Sequence, residues 1–341
     1  MNISKLTEIL SNINAKEATI VSNNGNLTVY SKTGGFETYA RMESDADFPQ
    51  ITVDVGQLLE VLKIARPMES ELTCTDSKLT LKSPNMHFEM DVKLGDSITV
   101  LIIPGDDCFE TIEFEELKTA FTKVIGAVAK ENSGQPQLEI VNIDGNRVIA
   151  TDSHVMSVYD MEQTPNTFKD ARFALSSSFI KHLIKVGKKE RTANICLTED
   201  GFYIKLGETL YIGRREYHSR CNFDFVIKES LHADYKALVN TDDFKRALKT
   251  LKPTLKQCQN YLNISFNDNN TLLRAGDFTI EIASVNDPIP CQVTLNAKYV
   301  DVFLKIANAV TNIFIKSTNS PVVMTTDDDN HKFIVMPIYG T

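Results

Sequence analysis

The strongest constraint on how this chain folds is an internal repeat. Six segments read as strand, short polar turn and strand: ATIVSNNGNLTVYSK, ELTCTDSKLTLKS, LEIVNIDGNRVIATD, ANICLTEDGFYIKLG, LNISFNDNNTLLRAG and NIFIKSTNSPVVMTT. Each sets β-branched or apolar residues on both sides of Asn, Asp, Gly or Ser, which is the chemistry of hairpin turns. A candidate amphipathic helix precedes every one: LTEILSNINA, DVGQLLEVLKIA, FEELKTAFTKVIGAVAK, SSSFIKHLIKVGKK, TDDFKRALKTLKPTLKQ and NAKYVDVFLKIANAV. In the third, Leu117, Phe121, Val124, Ile125 and Val128 make an apolar stripe at helical spacing. Ser178, Asp242 and Asn296 are the expected N-caps of the last three helices, and Pro253 is expected to kink or end the fifth early. Successive turns lie roughly 50 to 70 residues apart, short and long intervals alternating, which groups the units into three pairs. Further strands, HFEMDVKL and TLYIGRREY, fall between pairs. The fold class is therefore α+β, with paired helices packed on antiparallel sheets. A length of 341 residues exceeds one ordinary core, and three similar domains are expected at 1–108, 109–230 and 231–341.

Composition removes several classes. An apolar share of 42% and a charged share of 24% suit a globular protein, and no apolar run reaches the length of a membrane span. The opening MNISKLTEILSNINAKEA lacks a signal-peptide layout. Cys74, Cys108, Cys196, Cys221, Cys258 and Cys291 are far apart with no CxxC, which supports neither a zinc knuckle nor a disulfide framework and points to a reducing cytoplasm. The formal charge of −9 argues against a surface basic all over, yet several helices are basic. The third carries Lys118, Lys123 and Lys130, and the fourth Lys181, Lys185, Lys188 and Lys189. The fifth carries Lys245, Arg246, Lys249, Lys252 and Lys256, its Asp242 and Asp243 standing at the start where the helix dipole favours acids. Such rows are either solvated helix faces or a shared surface that meets phosphates without reading sequence.

The polar clusters offer little catalysis. RVIATDSHVMSVYD places Thr151, Asp152, Ser153 and His154 together, but no nucleophile elbow surrounds Ser153. Adjacent residues at a strand end are expected to point to opposite sides, which leaves a turn and a surface pocket as the simpler role. TTDDDNH, with Asp327, Asp328, Asp329 and His331, lacks the glycine and distal glutamate of a calcium loop and reads as a solvated turn. TGGFETY has neither the lysine nor the spacing of a phosphate loop, so no cofactor and no metal is expected. The chain ends in KFIVMPIYGT, an apolar tail that either docks on its own domain or builds a groove for a partner peptide.

Together, three tandem α+β domains, ATD-x-H after the third hairpin's second strand and a chain ending in VMP plus a few residues resemble the bacterial DNA polymerase III beta subunit, the sliding clamp. DADFPQI and LNAKYVDVFLKIA are weaker echoes. The resemblance spans essentially the whole chain and implies a DNA-clamp fold, from which this chain departs in a first domain that looks shortened before its first hairpin. It implies a non-enzymatic processivity factor for DNA replication: a head-to-tail homodimeric ring around duplex DNA, cytoplasmic, its helices lining the hole. It also implies a peptide groove for hydrophobic motifs of the polymerase and clamp loader. Thr151, Ser153, His154, Val155 and Met156 would form one wall, and Phe225 and Val226 would join from the following segment. Asn296, Tyr299, Val323, Ile334, Val335, Met336, Pro337 and Ile338 would complete it. The family commonly has Gly where Ser153 stands, an arginine where Val155 stands and another where Tyr339 stands. A monomeric peptide-binding scaffold of the same fold is the other reading. It would differ at the edge strands NMHFEMDVKL and FTIEIASVN, the candidates for pairing between protomers.

Overall fold

The computed structural model describes residues 2–65, 70–75, 77–95, 103–216, 223–230, 233–267, 269–287, 291–326 and 330–339. All six expected helices are present: α1 (Ile3–Ser11), α2 (Val55–Ala65), α3 (Phe114–Val124), α4 (Ser177–Val186), α6 (Thr241–Gln257) and α7 (Ala297–Ile306). A further helix, α5 (Phe223–Ser230), was not anticipated. None of the described helices is long and apolar enough to cross a membrane.

The chain divides into two compact units. The first holds Met1–Glu115, Pro165–Thr167 and Lys181–Arg215, and the second holds Glu116–Thr164, Phe168–Ile180 and Glu216–Thr341. In the first unit a nine-stranded antiparallel sheet runs Lys93–Leu94, Phe48–Asp54, Glu17–Asn23, Asn26–Thr33, Phe36–Glu43, Thr209–Arg214, Gly201–Leu206, Thr192–Leu197 and Glu110–Glu113. Glu71–Thr75, Lys78–Ser83 and Met86–Asp91 form a separate three-stranded sheet. All six hairpins read from the repeat are there. The first turns at Asn24 and Gly25, both at positive φ (49° and 76°), as a tight two-residue turn matched to strand twist requires. Glu17–Asn23 then alternates exposed and buried residues, sending Ala18, Ile20 and Ser22 inward. Ile20, Leu27 and Ile51 pack in one core with Leu6 and Leu10 of α1 and Leu58 and Leu62 of α2. Burial of that apolar stripe, more than helix propensity, holds so short a helix as α1.

In the second unit a twelve-stranded sheet contains Val155–Asp160 beside His331–Val335, in the register Val155↔Val335 to Tyr159↔His331. His331 therefore lies in a strand and is fully buried, not in a solvated turn as its polar neighbours suggested. Its ring stacks on Phe303 of α7 at 6.0 Å, and its Nε2 meets Ser157 Oγ at 2.9 Å. Asp327–Asp329 lie outside the described residues.

Four local expectations are corrected. Asn240, not Asp242, caps α6, its Oδ1 accepting from the amides of Asp242 and Asp243 at 3.0 and 3.1 Å. Ser176 does the same for α4 in place of Ser178, accepting from Phe179 N at 3.3 Å, while Asn296 caps α7 as expected. Pro253 neither ends nor shortens α6, which continues to Gln257. Proline leaves one carbonyl without its amide donor, but Pro253 and Lys249 are exposed, on the face open to solvent, while Leu248, Leu251 and Leu255 anchor the other face. Finally, Cys108 and Cys196 are joined by a disulfide, with Cα atoms 5.6 Å apart across 88 residues of sequence. Spacing along the chain could not reveal this, because the sheet, not the local sequence, carries Cys196 to the turn Asp106–Cys108.

Candidate partner-binding groove and basic helices

The cluster Thr151 to His154 is a turn held by its own side chains. Thr151 Oγ1 donates to Val155 O at 2.7 Å and accepts from Ser153 N at 3.1 Å. Asp152 Oδ1 accepts from the amides of His154 and Val155, both at 2.9 Å. Ser153 sits at φ 79°, the left-handed region that a non-glycine side chain adopts at a cost. That conformation turns Ser153 and His154 to the same side, Oγ to Nδ1 3.1 Å, contrary to the opposite sides expected of a strand end. The contact does not make a triad. The carboxylate that would orient the imidazole is spent on backbone amides and on the hydroxyl of Tyr299. Burial and then Asp152 hold the Tyr299 phenol well above its ordinary value, so it stays a neutral donor.

The chain end closes on this turn. Met336 N donates to His154 O at 2.8 Å, Ile338 N to Thr294 O at 2.9 Å, and Tyr339 Oη to Asn319 O at 2.9 Å. The tail is thus docked within its own unit, with Pro337 buried, Met336 and Ile338 half-buried and Tyr339 exposed.

Strand alternation sorts the remaining groove candidates onto two faces. Met156, Val323 and Ile334 share one apolar cluster with Ile149 and Val158. Val155 and Val335 are 2% and 0% exposed and are left out of that cluster, so they support the wall from within. Phe223, Val226 and Ile227 of α5 pack on the cluster, whereas Phe225 is 64% exposed and takes no part in it. Asn296 is committed as a cap, its side chain accepting from Lys298 N at 3.0 Å. Phe223 and Ile227 escape a reading of the sequence because α5 is short, although their i, i+4 spacing is the signal that identifies it. Two ion pairs pin α5: Arg147 Nη1 to Asp224 Oδ1 at 2.5 Å, and Lys316 Nζ to Glu229 Oε2 at 4.0 Å. The candidate site is the apolar cluster of Met156, Val323 and Ile334, buried beneath Phe223, Val226 and Ile227 of α5, together with the half-buried Met336 that is hydrogen-bonded to His154.

The basic residues divide by what they touch. Lys181, Lys185, Lys188 and Lys189 are exposed on and after α4, as are Lys249, Lys252 and Lys256 on α6 and Lys130 beyond α3. Arg246 is exposed and paired with Asp243, and Lys118 is half-buried. Lys123 departs from the outward row: its Nζ donates to Ile306 O at 2.9 Å. Lys245 Nζ reaches Ala307 O at 3.2 Å. Both satisfy carbonyls at the C-terminus of α7, where the helix dipole draws cations.

Both strands expected to pair between protomers keep an open edge among the described residues, as do the other outermost strands of the three sheets. Met86–Asp91 pairs only with Lys78–Ser83. Phe278–Ala283 pairs with Asn270–Ala275 on one side, and only Ser284–Asn286 beyond it meets Ala237–Val239 on the other. Phe278 on that edge is 64% exposed.

No protein-family model matches the sequence, and no curated protein matches it. Solved structures do. The DNA polymerase sliding clamp of Pseudomonas aeruginosa with ligand superposes with a TM-score of 0.87 at 14% identity, over 100% of this chain and 99% of its own. The beta subunit of DNA polymerase III from Thermotoga maritima gives 0.86 at 16%, over 100% and 98%. The sliding clamp of Bartonella birtlesii bound to griselimycin gives 0.86 at 16%, over 100% and 99%. At such identities it is the fold that is shared: from end to end, this chain has the fold of bacterial sliding clamps.

Proposed function

We propose that the chain is a divergent sliding clamp, a homodimeric processivity factor that encircles duplex DNA and tethers a polymerase through the apolar groove. The observation that carries this is the full-length likeness to clamps, which covers 98% or more of every chain compared. Three domains at 1–108, 109–230 and 231–341 then build each half of the ring. The open edges Met86–Asp91 and Phe278–Ala283 pair head to tail between protomers, which removes the hazard of exposed edge strands and closes the assembly. The exposed lysines of α4 and α6 meet the DNA backbone without reading sequence, so the ring slides. Hydrophobic motifs of a polymerase and a clamp loader lie over the Met156, Val323 and Ile334 cluster and meet the half-buried Met336, Phe223 and Val226. The protein works with no cofactor and no catalysis of its own in the cytoplasm, a placement that rests on the clamp fold and no longer on its cysteines, two of which are paired.

Molar mass by light scattering behind size exclusion, over a range of concentrations, tests the assembly. A mass of twice the chain's 38.2 kDa supports ring closure. A mass of one chain throughout overturns it in favour of a monomeric peptide-binding scaffold.

A further inference from the structure

Between α6 and α7 lies a second depression, about 320 Å³ in volume, that the reading above does not use as a pocket. Leu248 and Leu255 of α6 and Ala297 and Leu304 of α7 form its floor. Five lysines surround it: Lys245, Lys249, Lys252, Lys298 and Lys305. Two of these are engaged. Lys305 pairs with Asp301, the one acid of the lining, at 2.8 Å, and Lys245 reaches the Ala307 carbonyl. Lys249, Lys252 and Lys298 have no ion pair among the described residues and are exposed. Three uncompensated cations around an apolar floor, in a chain of net charge −9, form a site with unspent attraction for an amphipathic anion.

We propose that this depression docks an acidic amphipathic helix of a partner protein, its leucine-like side chains entering between α6 and α7 and its carboxylates meeting Lys249, Lys252 and Lys298. The shape and lining favour a peptide over nucleic acid. No aromatic ring lines the site, so a base finds no stacking platform. A duplex offers phosphates to the lysines but no apolar group to fill the floor. A helix with apolar residues at i, i+3 and i+4 and acids on its flanks supplies both. Because α6 is also the helix assigned to DNA, the peptide and a duplex compete for it. The site lies within one unit and does not depend on ring closure.

The test uses the full chain and a fluorescein-labelled amphipathic helix of leucine and glutamate, followed by anisotropy at near-physiological salt. A second peptide replaces the leucines with serine at the same charge. The variant carries Lys249→Glu, Lys252→Glu and Lys298→Glu, all exposed, and its fold is verified by a thermal melt. The proposal expects the leucine peptide to bind, the serine peptide to bind at least about tenfold more weakly, and the variant to lose about tenfold or more. Tyr339→Ala, in the exposed chain end outside this lining, leaves the affinity unchanged, and short duplex DNA displaces the peptide. Equal binding of the two peptides overturns the proposal by showing unspecific charge attraction alone. Equal binding to variant and parent, or binding of duplex with none of the peptide, overturns it as well. A monomeric mass in solution, by contrast, contradicts only the ring.

Discussion

At the scale of single residues, the groove's turn depends on a conformation that its sequence tolerates at a cost. Ser153 holds φ 79°. A β-branched side chain suffers most there, so Ser153→Val is expected to lose about 1–2 kcal/mol, whereas Ser153→Gly stays within about 1 kcal/mol of the parent. Urea denaturation separates the two, and equal losses would show that the turn is not strained. Two imidazoles set the acid limit. His182, 4% exposed, stacks on Phe36 at 4.7 Å with Tyr211 edge-on at 5.4 Å, and burial, helped by Lys185, pushes it down to about 4. Burial, then Lys123 and Lys332, takes His331 down to about 3. Since both folded values lie below the ordinary 6.5, the unfolded chain takes up these protons first. The stability they protect is complete above about pH 6.5 and falls as the pH drops towards 4, by about 2 kcal/mol for each imidazole at pH 5. His182→Phe, filling the same aromatic stack, should remove about half of that slope between pH 7 and 5. A slope that survives unchanged would place the acid sensitivity elsewhere.

At the scale of elements, the Cys108–Cys196 disulfide ties the exposed turn Asp106–Cys108 to the buried strand Thr192–Leu197. A closure across 88 residues constrains the unfolded chain by about 4 kcal/mol, so reductant should lower the unfolding midpoint. An unchanged midpoint would contradict a disulfide in the folded protein. Lys205 reinforces the same turn, with Nζ 3.1 Å from Asp106 Oδ1 and 4.2 Å from the centre of the Phe109 ring. Elements were legible where their cause is local. Every hairpin announced itself through its turn residues, and every helix but α5 through apolar spacing. What escaped has distant causes. Phe36–Glu43 has one partner next in sequence but the other at Thr209–Arg214, and nothing in FETYARME encodes that pairing. The α6 cap was missed because two acids follow Asn240 and look like better acceptors, though their backbone is already helical.

At the scale of the whole molecule, the free edges should decide assembly. Phe278→Asp with Ile280→Asp places two charges on the open edge Phe278–Ala283, and the variant is expected to run as one chain in light scattering while the parent runs as two. A dimeric variant would move the interface elsewhere. The groove was legible as a motif but not as a surface. ATD-x-H and VMP located its two halves, yet the period of two puts Met156 and Ile334 in the cluster on which α5 packs and leaves Val155 and Val335 outside that cluster, all four being buried. Lys123 shows the same limit, since spacing along α3 cannot reveal that the α7 C-terminus takes its charge. Topological linkage to DNA can be measured directly. The protein is loaded onto nicked circular DNA by a clamp loader, isolated by gel filtration, and followed before and after the circle is cut once. Co-elution with the closed circle and release on linearisation are expected, because a sliding ring runs off a free end. Equal retention on circular and linear DNA, or none on either, would contradict it.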